Sequence, residues 1–191
     1  WGYNGYGQLG IGNTTGKEEP TDTGMKDAID VAAGINFTAV LKRDGTVWVT
    51  GQNNYGQLAQ DTTSNTTTFV KVKAENGIDY LTDVVAITCG NYHMAALKKD
   101  GTVYSWGYNR YGQLGNNTNS TMKLPSRVRQ VNNIMEIAAG GNHLVLLDSD
   151  GTVWATGYNN YGQLGNNTTS NSKIAVKVLN VDGNNPISKI T

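Results

Sequence analysis

Three glycines near the start of the chain have the spacing of a dinucleotide-binding loop. Gly5, Gly7 and Gly10 form GxGxxG within GYGQLG, a pattern that holds a pyrophosphate where a strand meets a helix N-terminus. The stretch recurs as NYGQLA, RYGQLG and NYGQLG at residues 54–59, 110–115 and 160–165, so only Tyr-Gly-Gln-Leu is common to all four copies. An Asn/Thr-rich loop follows, where phosphate binding requires a helix. The sequence therefore predicts a turn and no cofactor here.

Within this turn each repeated residue has an expected structural role. The glycine permits an unusual backbone angle, the glutamine hydrogen-bonds neighbouring backbone, and the leucine anchors in the core. The predicted structural residues are Gly7, Gln8, Leu9, Gly56, Gln57, Leu58, Gly112, Gln113, Leu114, Gly162, Gln163 and Leu164.

The two histidines and the single cysteine are further candidates for chemistry. His93 and His143 occupy equivalent positions of two repeats, where Phe37 stands in another. We expect neighbouring repeats to hold them well apart, and neither has an Asp or Cys partner close in sequence, so both are interpreted as structural residues with satisfied hydrogen bonds. Cys89 replaces an alanine at a small interior site, which favours an inert buried thiol.

The carboxylates do not form a catalytic pattern. Asp44, Asp100 and Asp150 each precede a glycine in a hairpin turn, and turn residues copied with a repeat select no acid–base pair. Gly-x-Ser-x-Gly, His-Glu-x-x-His and phosphate-loop patterns are missing from the sequence. We therefore predict no enzyme, no catalytic residue and no metal site.

Composition narrows the class of protein. The 191 residues include 15 basic and 15 acidic side chains, and 38% are hydrophobic. This balance indicates a folded protein and gives no field that would recruit nucleic acid. A membrane span is not expected, because no apolar run approaches ~18 residues.

The whole chain is built from one repeat of about fifty residues. We predict a single domain over 1–191, with repeats at 1–49, 50–105, 106–155 and an incomplete 156–191. Each unit is expected to hold four strands: a small-residue innermost strand, an apolar strand, a third strand after an Asp-Gly turn whose residues supply the positive φ angles, and an outermost strand. Pro125 is tolerable only at such an edge.

The recurring pattern Ala-Gly-x-x-His, Leu-x-x-Asp-Gly-x-Val-x-x-Trp-Gly-x-Asn-x-x-Gly-Gln-Leu-Gly is similar to the repeat of the regulator of chromosome condensation family, in a bacterial-type form. The resemblance covers essentially the whole chain and implies an all-β, seven-bladed β-propeller. Three complete blades are expected, Ala28 to Val72, Asp83 to Val128 and Ile134 to Val178, with a leading outer strand near Pro20 and a trailing inner strand at Ile187 to Thr191. The chain would then be part of a larger propeller, or an arc that self-associates to complete a ring.

Members of the resembled family act as nucleotide-exchange factors, ultraviolet receptors and inhibitors of secreted β-lactamases. The leading hypothesis is a non-catalytic, protein-binding scaffold that presents variable loops and tyrosines on one face. The candidate partner-binding residues are Tyr3, Gln52, Tyr108, Tyr158 and Arg110. The second tyrosine series, Tyr6, Tyr55, Tyr111 and Tyr161, is interpreted as structural because all four copies keep it.

Two other functions stay open at this point. One is a carbohydrate-binding or enzyme-inhibiting secreted propeller, and the other is a purely structural assembly module. The neutral charge, Asn/Thr richness and single cysteine resemble bacterial surface or secreted repeat proteins, so an extracellular or cell-surface location on a bacterium is expected, and a cytoplasmic location stays open as the alternative.

Overall fold

The computed structural model describes residues 1–179, which form three four-stranded antiparallel sheets and no helix. The first sheet contains β1 (Ala28–Ala33), β2 (Phe37–Lys42), β3 (Val47–Gly51) and β4 (Thr66–Lys71). The second contains β5 (Val84–Cys89), β6 (His93–Lys98), β7 (Val103–Gly107) and β8 (Met122–Arg127), and the third contains β9 (Ile134–Ala139), β10 (His143–Asp148), β11 (Val153–Gly157) and β12 (Ser172–Lys177). Each sheet keeps its strands in chain order. The predicted propeller class, with three complete blades in an open arc, is confirmed.

A three-residue turn joins the second and third strands of each blade. In the first blade, Gly45 N donates to Lys42 O and Lys42 N donates to Thr46 O, both at 2.9 Å. Gly45 has a φ of +76°, whereas the φ of Asp44 is not positive. The prediction of positive φ at both positions is therefore wrong. The loop is a type I turn closed by a glycine bulge.

The aspartate of this turn accepts hydrogen bonds instead. Asp44 Oδ1 accepts from the backbone N of Thr46 at 3.0 Å and from its hydroxyl at 2.6 Å, and these bonds lower the pKa of Asp44. Asp100 has the same partners in Thr102. In the third blade Asp150 lies in the turn, as predicted, but the accepting carboxylate is that of Asp148, which accepts from Thr152 N at 2.8 Å and from Asp150 N at 3.0 Å.

The hydrophobic cores lie between blades. One cluster joins the first two blades, with Leu41 and Val49 facing Met94 and Trp106. A second cluster joins the second and third blades, and it includes Leu97, Val103, Leu144 and Leu146. Alternate residues of each strand enter a core because successive side chains of a strand point to opposite sides of its sheet.

Hydrogen bonds also tie each blade to the unit before it. Thr50 Oγ1 donates to Gly7 O, Trp106 Nε1 to Gln57 O and Thr156 Oγ1 to Gly112 O, each at 2.9 Å. The three donors occupy one repeat position near the end of the third strand. The acceptors are backbone carbonyls of the preceding Tyr-Gly-Gln-Leu turn.

The outer strand predicted near Pro20 is not formed. Residues 18–26 contain no strand, and pairing in this region is limited to a bridge between Gly2 and Lys17. An outermost strand needs the third strand of its own blade as its ladder partner, and residues 1–17 form no strand. The inner strand predicted at Ile187 to Thr191 lies outside the described residues.

Candidate functional site

The two ends of the strands form two faces of different composition. The face that we call the tyrosine face consists of loops 3–16, 34–36, 52–65, 90–92, 108–121, 140–142 and 158–171. Its charged side chains are Asp61 and Arg110, and it carries Tyr3, Tyr6, Tyr55, Tyr92, Tyr108, Tyr111, Tyr158 and Tyr161. The opposite hairpin face, with turns 43–46, 99–102 and 149–152 and loops 72–83 and 128–133, holds many acidic and basic residues. The loops that carry the tyrosines therefore hold few charged side chains, although Lys123 and Lys173 of the outermost strands lie beside two of their turns.

A buried asparagine holds each loop of the tyrosine face in place. Asn109 is fully buried. Its Oδ1 accepts from Leu114 N, and its Nδ2 donates to Thr118 O and Ser120 O, all at 3.0 Å. Asn4, Asn53 and Asn159 make equivalent bonds in their own loops. Sequence reasoning missed this role, although the recurrence of asparagine one residue after the first tyrosine position was visible.

The glutamine and leucine of the turn lie where a structural role requires them. Gln113 Oε1 accepts from Tyr111 N at 3.0 Å, and the same bond is made by Gln8, Gln57 and Gln163. Leu58, Leu114 and Leu164 are fully buried, while Leu9 is half-buried. The turn is built from backbone and amide contacts, and it presents no converging donors to a phosphate.

The glycine of the turn allows neighbouring units to approach closely. Gly7, Gly56, Gly112 and Gly162 all have φ between +74° and +83°. A Cβ on Gly112 would lie 2.5 Å from Lys173 Cα, and one on Gly56 would lie 2.6 Å from Lys123 Cα. Both neighbours belong to the outermost strand of the next blade. A Cβ on Gly162 would meet nothing within 4 Å among the described residues.

Six tyrosine rings form a continuous series across the three blades, which we call the tyrosine arc. Ring centroids are 5.2 Å apart for Tyr92 and Tyr55, 4.9 Å for Tyr55 and Tyr108, 6.1 Å for Tyr108 and Tyr111, 4.9 Å for Tyr111 and Tyr158, and 6.1 Å for Tyr158 and Tyr161. Interplanar angles of 58° to 79° make these contacts edge-to-face or tilted. Burial and the neighbouring Tyr111 raise the pKa of Tyr108.

The tyrosine arc joins the two series that sequence reasoning kept apart. The second tyrosine of one blade packs on the first tyrosine of the next, so the series interpreted as structural also forms the surface, and Tyr161 is 85% exposed. Tyr92 was missed because asparagine stands at its position in the other two blades.

The remaining predicted partner-binding residues differ in exposure. Arg110 is exposed, beside the ring of Tyr108. Tyr3 is 66% exposed, and the centroid of its ring lies 6.3 Å from that of Tyr6. Gln52 is buried and accepts a hydrogen bond from Asn36 Nδ2 at 3.2 Å, so it presents no side chain to a partner. This glutamine separates the Tyr3–Tyr6 pair from the tyrosine arc.

The two histidines lie at the inner ends of adjacent blades. His93 is fully buried, and its two ring nitrogens have no hydrogen-bond partner among the described residues. Burial and the neighbouring His143 lower the pKa of His93 to about 4, and burial also lowers that of His143. The expectation of satisfied, widely separated histidines is therefore wrong, because the blades converge here and His93 fills the apolar place that Phe37 fills in the first blade.

Each of these rings lies over a glycine. A Cβ on Gly34, Gly90 or Gly140 would overlap the ring of Phe37, His93 or His143 respectively. Ring and glycine therefore form one packing unit, in which the imidazole of His93 acts through the packing of its planar ring.

Cys89 contributes no reactive thiol. Burial raises the pKa of the thiol far above its usual range, which disfavours the nucleophilic thiolate. The cavity beside it, about 300 Å³, is lined by Ala, Gly, Ile and Asn residues of the three inner strand ends. The described residues also contain no cluster of metal-ligating side chains, and no helix among them has the length and apolarity to cross a membrane.

Comparison with known proteins assigns this repeat architecture to a family. The profile of the RCC1-like domain matches residues 1–191. The chain belongs to the RCC1-like domain family. It is 32% identical over 132 residues to the ultraviolet-B receptor UVR8 of Arabidopsis thaliana, and 34% identical over 134 residues to a zebrafish RCC2 homolog. These alignments cover 68% and 69% of this chain but only 29% and 26% of the relatives.

Solved structures share the fold of this RCC1-like chain. Human WBSCR16 superimposes with a TM-score of 0.81 at 23% identity, over 94% of this chain and 47% of that protein. Yeast RCC1 (Prp20), in a structure with Kap60, gives 0.81 at 19% identity over 95% and 44%. The chain thus spans about half of these propellers.

Proposed function

We propose that the tyrosine face of this RCC1-like chain binds another protein and that the chain is a non-catalytic scaffold. The observation that carries the proposal is the tyrosine arc: six rings in contact, partly exposed, on a face with two charged side chains. Tyrosine supplies large contact area at a small cost in conformational entropy. A rigid blade framework pre-organises the rings and lowers that cost further.

The composition of the face supports a protein partner. Asparagine, glycine, tyrosine and threonine dominate its loops, with one arginine, and antibody paratopes are likewise rich in tyrosine, glycine and asparagine. Structural neighbours have protein partners of their own: yeast RCC1 (Prp20) is seen with Kap60, and Prp20p is described with binding properties to Gsp1p and histones. Those partners belong to the yeast protein.

The acidic residues support a non-catalytic role. Asp44 and Asp100 are engaged by the threonine of their own turns. Hydrogen bonds from Thr46 and Thr102 lower the pKa of these carboxyl groups. They remain ionised acceptors and serve as structural caps, whereas a general acid needs a raised pKa.

Photo-crosslinking from the tyrosine face tests the protein-binding proposal. A photoreactive amino acid at Asn160, which is exposed beside Tyr161, should give a discrete protein adduct in an extract of the source organism. Tyr108→Ala with Tyr158→Ala should remove that adduct, because two rings of the arc are lost.

Tyr80→Ala is the matched control. Tyr80 is 51% exposed and lies in loop 72–83 on the hairpin face, under the ammonium of Lys71. Its removal should leave the adduct unchanged. An adduct that survives the double substitution, or binding of the tyrosine face to an immobilised neutral oligosaccharide in place of protein, would contradict the proposal.

We also propose an extracellular or surface location on a bacterial cell. Its support is compositional: no net charge, loops rich in Asn and Thr, and one cysteine. The relatives named above are from a plant and a fish, so cell fractionation of the source organism is the direct test.

A further inference from the structure

We infer that the tyrosine arc takes a proline-rich segment of the partner in the polyproline II conformation, with an acidic residue placed against Arg110. The inference rests on the proposed protein-binding role of the tyrosine face and adds the chemistry of the bound segment.

The spacing of the rings supports an extended, threefold helix. The ring centroid of Tyr111 lies 6.1 Å from that of Tyr108 and 4.9 Å from that of Tyr158, the counterpart of Tyr108 in the next blade. The centroids of Tyr108 and Tyr158 are therefore no further apart than these two distances together. A polyproline II helix repeats every three residues, about 9 Å, so one side of such a helix can place successive residues on successive blades.

The orientation of the rings favours a ridged ligand over a flat one. Neighbouring rings are inclined by 63° for Tyr111 and Tyr158 and by 79° for Tyr108 and Tyr111. Such a series presents ring edges and ring faces in turn, so its surface is ridged. Proline-rich helices bind aromatic-lined sites by packing against rings held at different angles, whereas a base stacks best on an open, flat ring face.

Hydrogen-bond donors stand at one repeat position along the tyrosine arc. Asn54, Arg110 and Asn160 each directly precede the second tyrosine of their blade, and all three side chains are exposed. The carbonyl groups of a polyproline II helix make no internal hydrogen bonds. One donor in each blade can therefore meet one unpaired carbonyl in each turn of the helix.

Charge completes the description of the segment. Arg110 is the only cationic residue in the loops of the tyrosine face, and the one acidic residue there, Asp61, belongs to the preceding blade's loop. A basic residue of the bound segment placed here would be repelled by Arg110, whereas an Asp or Glu would pair with it. The segment should therefore carry one Asp or Glu at the position that meets Arg110.

Three nine-residue peptides test the inference, PPPPEPPPP, PPPPKPPPP and a glycine/serine peptide with the same central glutamate, measured by isotope-labelled NMR titration of the whole chain. The glutamate-containing polyproline should bind most tightly. Tyr108→Ala should weaken it by about tenfold, and Tyr80→Ala should not change it. Arg110→Glu, at an exposed site that folding does not require, should reverse the order of the first two peptides.

The outcomes separate this inference from the proposed function. Equal binding of the glycine/serine peptide, or no binding of any peptide while the photo-crosslinked protein adduct persists, overturns the polyproline inference and leaves the protein-binding role intact. If the chain with no tyrosine substitution gives no protein adduct, the protein-binding role itself is overturned. An order of peptides that Arg110→Glu leaves unchanged overturns the carboxylate contact.

Discussion

At the scale of single residues, His93 connects packing to pH. The imidazole is buried and both its nitrogens lack partners among residues 1–179, while an apolar phenylalanine fills the same place in the first blade. Its pKa of about 4 lies below the ordinary value of 6.5. The unfolded chain therefore binds this proton more readily than the folded one. Stability is full above the unfolded pKa and decreases as pH falls from 6.5 toward 4.

His93→Phe should remove this acid sensitivity. Relative to the parent chain, the variant should gain up to about 3 kcal/mol of unfolding free energy between pH 7.5 and pH 4. Urea unfolding at both pH values measures the difference. His143→Phe is the control, with a smaller effect expected because His143 is only half-buried. Parallel pH profiles for the parent and His93→Phe would show that His93 is not the group responsible.

At the scale of elements, the contact between a turn and the next blade's outer strand depends on glycine. Gly112 and Gly162 have nearly the same φ, +82° and +80°, so the backbone strain of an alanine is the same at either site. Their surroundings differ: a Cβ at Gly112 would meet Lys173 Cα at 2.5 Å, and one at Gly162 would meet nothing within 4 Å among the described residues.

Gly112→Ala should therefore destabilise the chain more than Gly162→Ala, by about 1–3 kcal/mol. The comparison isolates the steric contact from the backbone conformation, because both variants carry the same change. Chemical unfolding of the two variants provides the measurement. Equal losses of stability would mean that the close approach of the outer strand carries no energetic weight.

Elements that depend on local sequence could be predicted, and those that depend on contacts between repeats could not. The Asp-Gly turn, the alternation within each strand and the fourfold recurrence of Tyr-Gly-Gln-Leu are local signals, and they gave the blades. The tyrosine arc depends on how Tyr55 of one blade meets Tyr108 of the next. The burial of Gln52 depends on Asn36 in another loop. Neither contact has a signature in the spacing of the chain.

At the scale of the whole molecule, the small number of charges on the tyrosine face predicts how binding responds to salt. Its loops carry Asp61 and Arg110, whereas the hairpin face carries many side chains of both signs. Binding through the tyrosine face should change by less than about threefold between 50 and 300 mM NaCl, because screening acts on few charges. Fluorescence titration of the captured partner at both salt concentrations tests this. A tenfold fall would mean that the hairpin face takes part.

The bonds between blades have a consequence for how such chains evolve. A hydroxyl in two blades and an indole in the third reach a main-chain carbonyl of the unit before. Main-chain carbonyls are present whatever the side chains, so this junction does not encode which blade follows which. Duplication, deletion or exchange of a whole repeat by recombination preserves it. Whole repeats can therefore be gained, lost or exchanged without loss of these bonds, while the loop residues diverge one repeat at a time.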